Sequence, residues 1–148
     1  MRKLTQTGED GTLGPHTSAG SSDAPERTAT GPIAPLLAAL EDQGDLDLQT
    51  LAELARGITG CARGFVAIME GPQTIVINAG KGGSRVLNTD ETLCSEVVRR
   101  GEAVEYTDLR LEPHQANHPS LLAGLLYYTG IPLRGAGGDI IASLCVQD

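Results

Sequence analysis

The sequence predicts an α+β domain with a central antiparallel sheet of five or six strands flanked by helices. Two observations carry this. Near the carboxyl end, Tyr128-Thr129-Gly130-Ile131-Pro132-Leu133 and Ile140-Ile141-Ala142-Ser143-Leu144-Cys145-Val146 read as apolar strands around the turn Arg134-Gly135-Ala136-Gly137-Gly138-Asp139. Glycine there supplies the positive φ that a reversing backbone needs. Elsewhere, strand pairs are preceded, interrupted and flanked by segments of helical periodicity, the mixture expected of a sheet with helices packed on it.

Composition bounds the function. A chain of 148 residues is a one-domain length and buries roughly two thirds of the surface its unfolded form exposes. With one Phe and no Trp, the core must be built from Leu, Ile, Val and Ala. The formal charge of −8, with no basic stripe among its 11 Lys and Arg residues, argues against nucleic acid. No apolar run approaches the roughly 20 residues that span a bilayer, and the acidic balance disfavours an anionic membrane surface. Met1-Arg2-Lys3-Leu4 is followed by polar residues rather than a signal-peptide core, so a cytoplasmic location is expected. Cys61, Cys94 and Cys145 are odd in number and lack a CxxC pair, which points to free thiols rather than a zinc site or disulfide framework.

Residues 1–31 hold Gly, Ser, Thr, Pro and charge, too little apolar surface to offset ordering entropy, so a disordered polar tail is expected before a domain over 32–148. Ile33, Leu36, Leu37 and Leu40 fall at helical spacing behind Pro32, and Gln43-Gly44-Asp45 breaks that helix. A second helix is predicted from Asp47 to about Thr59, with Leu48, Leu51, Leu54, Ala55 and Ile58 on one face and Gly60 closing it. Phe65 to Met69 and Thr74 to Ile77 read as a hairpin. Lys81-Gly82-Gly83-Ser84 reads as loop, without the strand, spacing and helix of a phosphate-cradling motif. Thr89 or Asp90 caps a third predicted helix running to Arg100, with Leu93, Cys94, Val97 and Val98 on its apolar face. A short strand from Ala103 to Tyr106, a polar loop from Asp108 and a helical turn at Ser120 to Ala123 lead to the final hairpin, where Pro132 belongs at an edge or bulge. His114 and His118 stand near Glu112, but Pro113 and Pro119 make this a turn-like surface loop rather than a metal site. No nucleophile with an adjacent base and no carboxylate pair can be assembled, so catalysis is not expected.

Thr59-Gly60-Cys61-Ala62-Arg63-Gly64-Phe65-Val66, Thr92-Leu93-Cys94, Tyr106-Thr107-Asp108, Glu112-Pro113 through Asn117-His118-Pro119, the run Tyr128 to Leu133 and the run Ser143 to Asp148 follow one another in an order that resembles the GAF domain. Such domains stand at the front of bacterial histidine kinases and diguanylate cyclases. The resemblance covers roughly Leu46 to Asp148 and implies a sensor, with a ligand pocket between the sheet and the middle helix and loop. The matching positions are Cys94, Val97, Asp108, Asn117, Tyr127 and Tyr128. It names no cofactor. Asp108 and Asn117 are equally good turn residues, and strand alternation lets only one of Tyr127 and Tyr128 face such a pocket.

A cysteine in a helix's first turn favours thiolate, so Cys94 opens a redox-sensor alternative. The family's free methionine sulfoxide reductases carry a cysteine near the Cys94 position. Their reactive thiol falls in the loop that here reads Asn117-His118-Pro119-Ser120, which tells against that enzyme. The Asn-Lys...Phe...Asp-Glu signature of cyclic-nucleotide-binding members is absent. Cys94 is followed by Ser95, not by the histidine common beside bilin-attachment cysteines. Members usually continue into a further helix, whereas this sequence stops at Asp148; the segment from Ile33 to Leu40 is expected to cover that sheet face. With no output module in the sequence, regulation in trans is expected, through a small-molecule ligand and a signalling protein. A homodimer or scaffold without ligand, joined through helices at 33–59, is the competing class.

Overall fold

The computed structural model describes residues 28–31, 34–35, 38 and 46–148. From Leu46 the chain runs α1 (Leu46–Thr59), β1 (Arg63–Glu70), β2 (Gln73–Asn78), β3 (Ser84–Asn88), α2 (Cys94–Arg100), β4 (Val104–Tyr106), α3 (Pro119–Leu122), β5 (Tyr128–Arg134) and β6 (Ile140–Gln147), with short 3-10 turns between β2 and β3 and on either side of α2 and β4. The strands form one sheet in the order β3-β2-β1-β6-β5-β4. Every pairing is antiparallel, so the expected α+β sheet is present with six strands.

Alternation along β1 divides the core in two. Phe65 and Ala67 join Val76, Leu87, Cys94, Val97, Tyr128 and Cys145 on one face of the sheet, under α2 and the loops beyond it. Val66 joins Ala52, Ile75, Ile77 and Val86 on the other, under α1. Pro132 sits in β5 beyond Gly130, where β4 has stopped pairing, so its missing donor falls on a sheet edge.

α1 begins one residue earlier than predicted and turns only part of the predicted face inward. Ala52 is fully buried and Leu48 and Leu51 pack beside it, whereas Leu54 and Ile58 are 58% and 77% exposed. The cause lies on the strand. A Cβ at Gly64 would stand 2.4 Å from the Ala52 carbonyl oxygen and 2.9 Å from Arg56 Cβ, so the bare glycine lets the helix rest on β1 along its Ala52–Arg56 line. Leu54 and Ile58 fall on the far side of a 3.6-residue turn.

β3 takes in Ser84, the last residue of the expected loop, and Arg85 to Asn88, to which the sequence reading gave no element. Gly80 and Gly83 adopt φ of +63° and +64°, which folds the chain back tightly enough for Ser84 to Asn88 to pair with β2. The predicted third helix starts later, at Cys94. Thr89 is held by the β1–β2 turn, its N–H donating to the Pro72 carbonyl at 2.9 Å and its hydroxyl to that of Gly71 at 3.0 Å, and Thr92 stays extended.

Ala34, Pro35 and Ala38 are helical, but Ile33, Leu36, Leu37 and Leu40, the residues expected to cover the sheet, lie outside the described residues. Within the segment assigned to the tail, Gln73 accepts from the Thr30 N–H at 2.6 Å and donates to the Thr28 carbonyl at 2.7 Å. Ala29 packs against the α1-side core. The remaining tail residues, 1–27, lie outside the described residues.

Gly64→Ala is expected to destabilise the fold by about 1–3 kcal/mol, the usual cost of forcing extra volume into a packed contact. Urea unfolding at constant m-value measures it; an unchanged midpoint would show that α1 does not depend on this contact.

Candidate ligand-binding cleft

Of the six positions matched to a pocket, the fold brings three together. Cys94, Val97 and Tyr128 are 2%, 0% and 0% exposed in the core beneath α2. The Tyr128 ring tilts against Tyr106 at 6.3 Å between centroids, and its hydroxyl lies 3.2 Å from Cys145 Sγ. Gly130 makes this arrangement fit: a Cβ there would stand 2.5 Å from the Tyr128 hydroxyl oxygen and 2.8 Å from Val97 Cγ2. The remaining void, bordered by Phe65, Cys94, Tyr128 and Gln147, is about 10 Å³. That holds one water at most.

The thiolate favoured by a helix start does not arise at Cys94. Donation of its S–H toward Cys145, whose sulfur lies 3.4 Å away, and complete burial push its pKa well above the ordinary 9.0. Burial, ahead of the nearby sulfurs, likewise pushes Tyr128 well above 10.0.

The other three positions point elsewhere. Asp108 caps a turn, accepting from the Arg110 N–H at 3.0 Å and gripping the Arg110 guanidinium, which holds its carboxyl below the usual range. Asn117 is exposed in the loop. Tyr127 occupies the opposite side of the chain from Tyr128 and donates to Glu105 Oε1 at 2.9 Å. In the same loop, His118 Nδ1 accepts from the Ser120 N–H at 3.1 Å, and His114 lies between Glu96 and Glu112 at 3.9 and 3.8 Å.

Space for a guest opens at the end of the sheet where β1 begins, between the margin of this face and α1. Register places Arg63 opposite Gln147 and Arg85 opposite Val76, so the apolar row of Phe65, Val76 and Cys145 runs out into Arg63, Arg85 and Gln147. Glu53 and Arg56 of α1, paired with one another, form one wall, and Lys81 of the β2–β3 turn forms the other. The cleft, open on one side to solvent, has a volume of about 600 Å³, within the range of small-molecule sites. Gly64 fixes both walls: α1 rests on it, and its carbonyl accepts from the Ala79 N–H at 2.9 Å.

Sequence reasoning missed this cleft. Its signal was arginine at strand positions whose neighbours two residues away, Phe65 and Leu87, are core. That signal becomes readable for Arg85 only once β3 is known.

A family model described as GAF domain matches residues 45–148. The chain belongs to the GAF family. GAF domains are generally regulatory or sensory modules that bind ligands. The fold agrees with solved structures of low identity. The GAF domain of Aquifex aeolicus nlh2 in an inactive state is 16% identical, with a TM-score of 0.53 and 78% of each chain covered. The GAF domain of an Acinetobacter phosphoenolpyruvate-protein phosphotransferase is 13% identical, with a TM-score of 0.53 and 81% of this chain and 78% of that one covered. A type II free methionine-R-sulfoxide reductase from Thermoplasma acidophilum is 14% identical, with a TM-score of 0.55 over 74% of this chain and 77% of its own. No curated protein sequence matches. Among the described residues, no helix of this GAF domain is long and apolar enough to cross a membrane.

The buried pair of Cys94 and Tyr128 makes stability sensitive to alkali. Unfolded, they release protons near 9.0 and 10.0; folded, they hold them to higher pH. For these two groups the unfolded state therefore binds fewer protons in that range, and their contribution to stability, present below pH 9.0, is lost as pH rises past both values, with Cys145, shifted the opposite way by its hydrogen bonds, offsetting part of the Cys94 share. Urea midpoints between about pH 8 and 11 should show this decline, and Tyr128→Phe should flatten its upper part. A flat wild-type profile would contradict the assignment.

Proposed function

We propose that this GAF domain is a non-catalytic regulatory module that binds a small molecule in the cleft between α1, the start of β1 and the β2–β3 turn, and regulates a signalling protein in trans. One contrast carries the reading: the interior beneath α2 is packed to a void of about 10 Å³, while the margin offers about 600 Å³ with polar walls. The buried state of all three cysteines supports a role without chemistry, as does the absence of a thiol from the loop 113–122. Cytoplasmic placement belongs to the same proposal.

The experiment is a thermal-shift screen of metabolites on the wild type and on Ala62→Trp, an exposed cleft residue. A ligand selective for the folded state at a hundred times its Kd adds about 2.7 kcal/mol of apparent stability. Stabilising hits are expected with the wild type and should vanish when the indole fills the cleft. Hits that survive Ala62→Trp would place binding elsewhere and defeat the reading.

The second reading, a homodimer or scaffold, is favoured by one observation. Leu54 and Ile58 project from the outer face of α1 beside a groove of about 680 Å³ that also borders Gly57 and Thr50. A second copy presenting the same helix would bury these side chains. If so, light scattering should show a concentration-dependent dimer that Leu54→Glu abolishes; a monomer at every concentration dismisses it.

A further inference from the structure

We propose that Thr28-Ala29-Thr30 is a strap that docks on Gln73 and releases from it, and that its release is governed by the polar clamp joining the β1–β2 turn to the lead-in of α2. Gln73 is the first residue of β2, whereas the cleft lies at the other end of that strand, beside Asn78. The strap's contacts therefore do not depend on a ligand in the cleft.

Composition gives residues 28–31 no reason to be ordered, yet one side chain holds them. Gln73 is 7% exposed. Its Oε1 accepts from the Thr30 N–H at 2.6 Å and from the Thr30 hydroxyl at 3.0 Å, and its Nε2 donates to the Thr28 carbonyl at 2.7 Å. The side-chain amide thus grips the chain on both sides of Ala29, in the way a neighbouring peptide group would. Ala29, half-buried between two exposed threonines, packs against the α1-side core. Recognition is of backbone groups, one hydroxyl and one methyl, which is why no apolar pattern in the tail announces it.

The strap is held lightly. Ordering one residue costs about what one or two net hydrogen bonds return. Three hydrogen bonds and one partly buried methyl therefore leave little surplus over the cost of ordering three residues, and release lets water solvate the Gln73 amide. A segment so balanced belongs to the low-stability end of a fold, where a small bias shifts the populations of two states.

That bias can enter from the other side of Gln73. The turn before it, Gly71-Pro72, is clamped by Thr89, whose N–H donates to the Pro72 carbonyl at 2.9 Å and whose hydroxyl donates to that of Gly71 at 3.0 Å. Thr89 Oγ1 also lies 2.9 Å from Oγ1 of Thr74, the residue after Gln73. Asn88, next to Thr89, is the register partner of Gln73 on β3. The Thr89 carbonyl in turn accepts from the N–H and hydroxyl of Thr92 at 3.1 and 2.8 Å, just ahead of α2. A shift in the lead-in of α2 therefore moves the turn that presents the strap's anchor, and by linkage a docked strap steadies that lead-in.

The tail contains its own probe. Arg27 immediately precedes the strap in sequence, and trypsin needs an extended segment on both sides of the bond it cuts, so the Arg27–Thr28 bond is cleaved from the released state. Cleavage of the full chain, divided by cleavage of a synthetic peptide of residues 22–33 carrying the same substitution, reads the released fraction when docking is fast. The wild type should be cut about tenfold more slowly than its peptide, the protection that a surplus of one net hydrogen bond confers. Thr30→Pro, which removes both Thr30 donors and touches nothing within the domain, should bring the ratio close to one. Gln73→Met should do the same, and the double variant should go no further, because both substitutions break one contact. Thr89→Val should raise the released fraction severalfold although it removes no atom that touches the strap, and Thr89→Ser, which keeps the hydroxyl, should restore the wild-type ratio. Urea midpoints report whether each variant is folded, and Thr30→Pro keeps the test decisive if Gln73→Met is not.

Four results would overturn the proposal. Wild-type cleavage at the rate of the peptide means that the strap does not dock. Cleavage as slow as global unfolding makes it a permanent part of the fold. Protection that survives Thr30→Pro removes Gln73 as the anchor. A Thr89→Val ratio equal to the wild type's severs the strap from α2.

Discussion

The contact between Gly64 and Ala52 is the constraint on which the rest of this structure turns. Removing one methyl group's worth of volume at Gly64 lets the α1 backbone rest directly on β1, with the Ala52 carbonyl oxygen 2.4 Å from where a Cβ would lie. Along the helix line so defined, Leu48 and Ala52 enter the layer containing Val66, Ile75 and Ile77. One turn further on, the same line delivers Arg56, with its partner Glu53, to the rim of the sheet. The Gly64 carbonyl also anchors Ala79, and through it the turn that carries Lys81. Packing energy and the geometry of the cleft therefore share one cause, and its walls stand on rigid elements rather than on loops alone.

The opposite sheet face shows what this architecture does with its interior. Tyr128 lies over Gly130, contacts Tyr106 and places its hydroxyl against Cys145. Burying an aromatic ring contributes about 1.5–3 kcal/mol, and a hydroxyl with a partner avoids most of the desolvation cost. The side chain thus supplies from within the contacts that a guest in this space would otherwise make. One face then carries two environments in series, hydrocarbon beneath α2 and ionic at the margin, with Gln147 at the boundary.

Most of the fold was legible because its signals are local. The hairpins of β1–β2 and β5–β6 announce themselves by apolar runs around glycine turns, and Gly60 and Gly101 mark the ends of α1 and α2. β3 was hidden because Ser84, Arg85 and Asn88 dilute its apolar content; only the two buried residues Val86 and Leu87 speak for a strand. The inward face of α1 was read correctly at Leu48 and Leu51 and missed at Leu54 and Ile58, because helical periodicity alone cannot distinguish Leu54 from Ala52. The choice is made by Gly64, twelve residues downstream of Ala52. The site was least legible. Cys94, Val97 and Tyr128 do meet, but whether they enclose space depends on how a tyrosine and a glycine two residues apart fit together, which no pattern of residue types reveals. Arg63, Lys81 and Arg85 converge only through strand pairing.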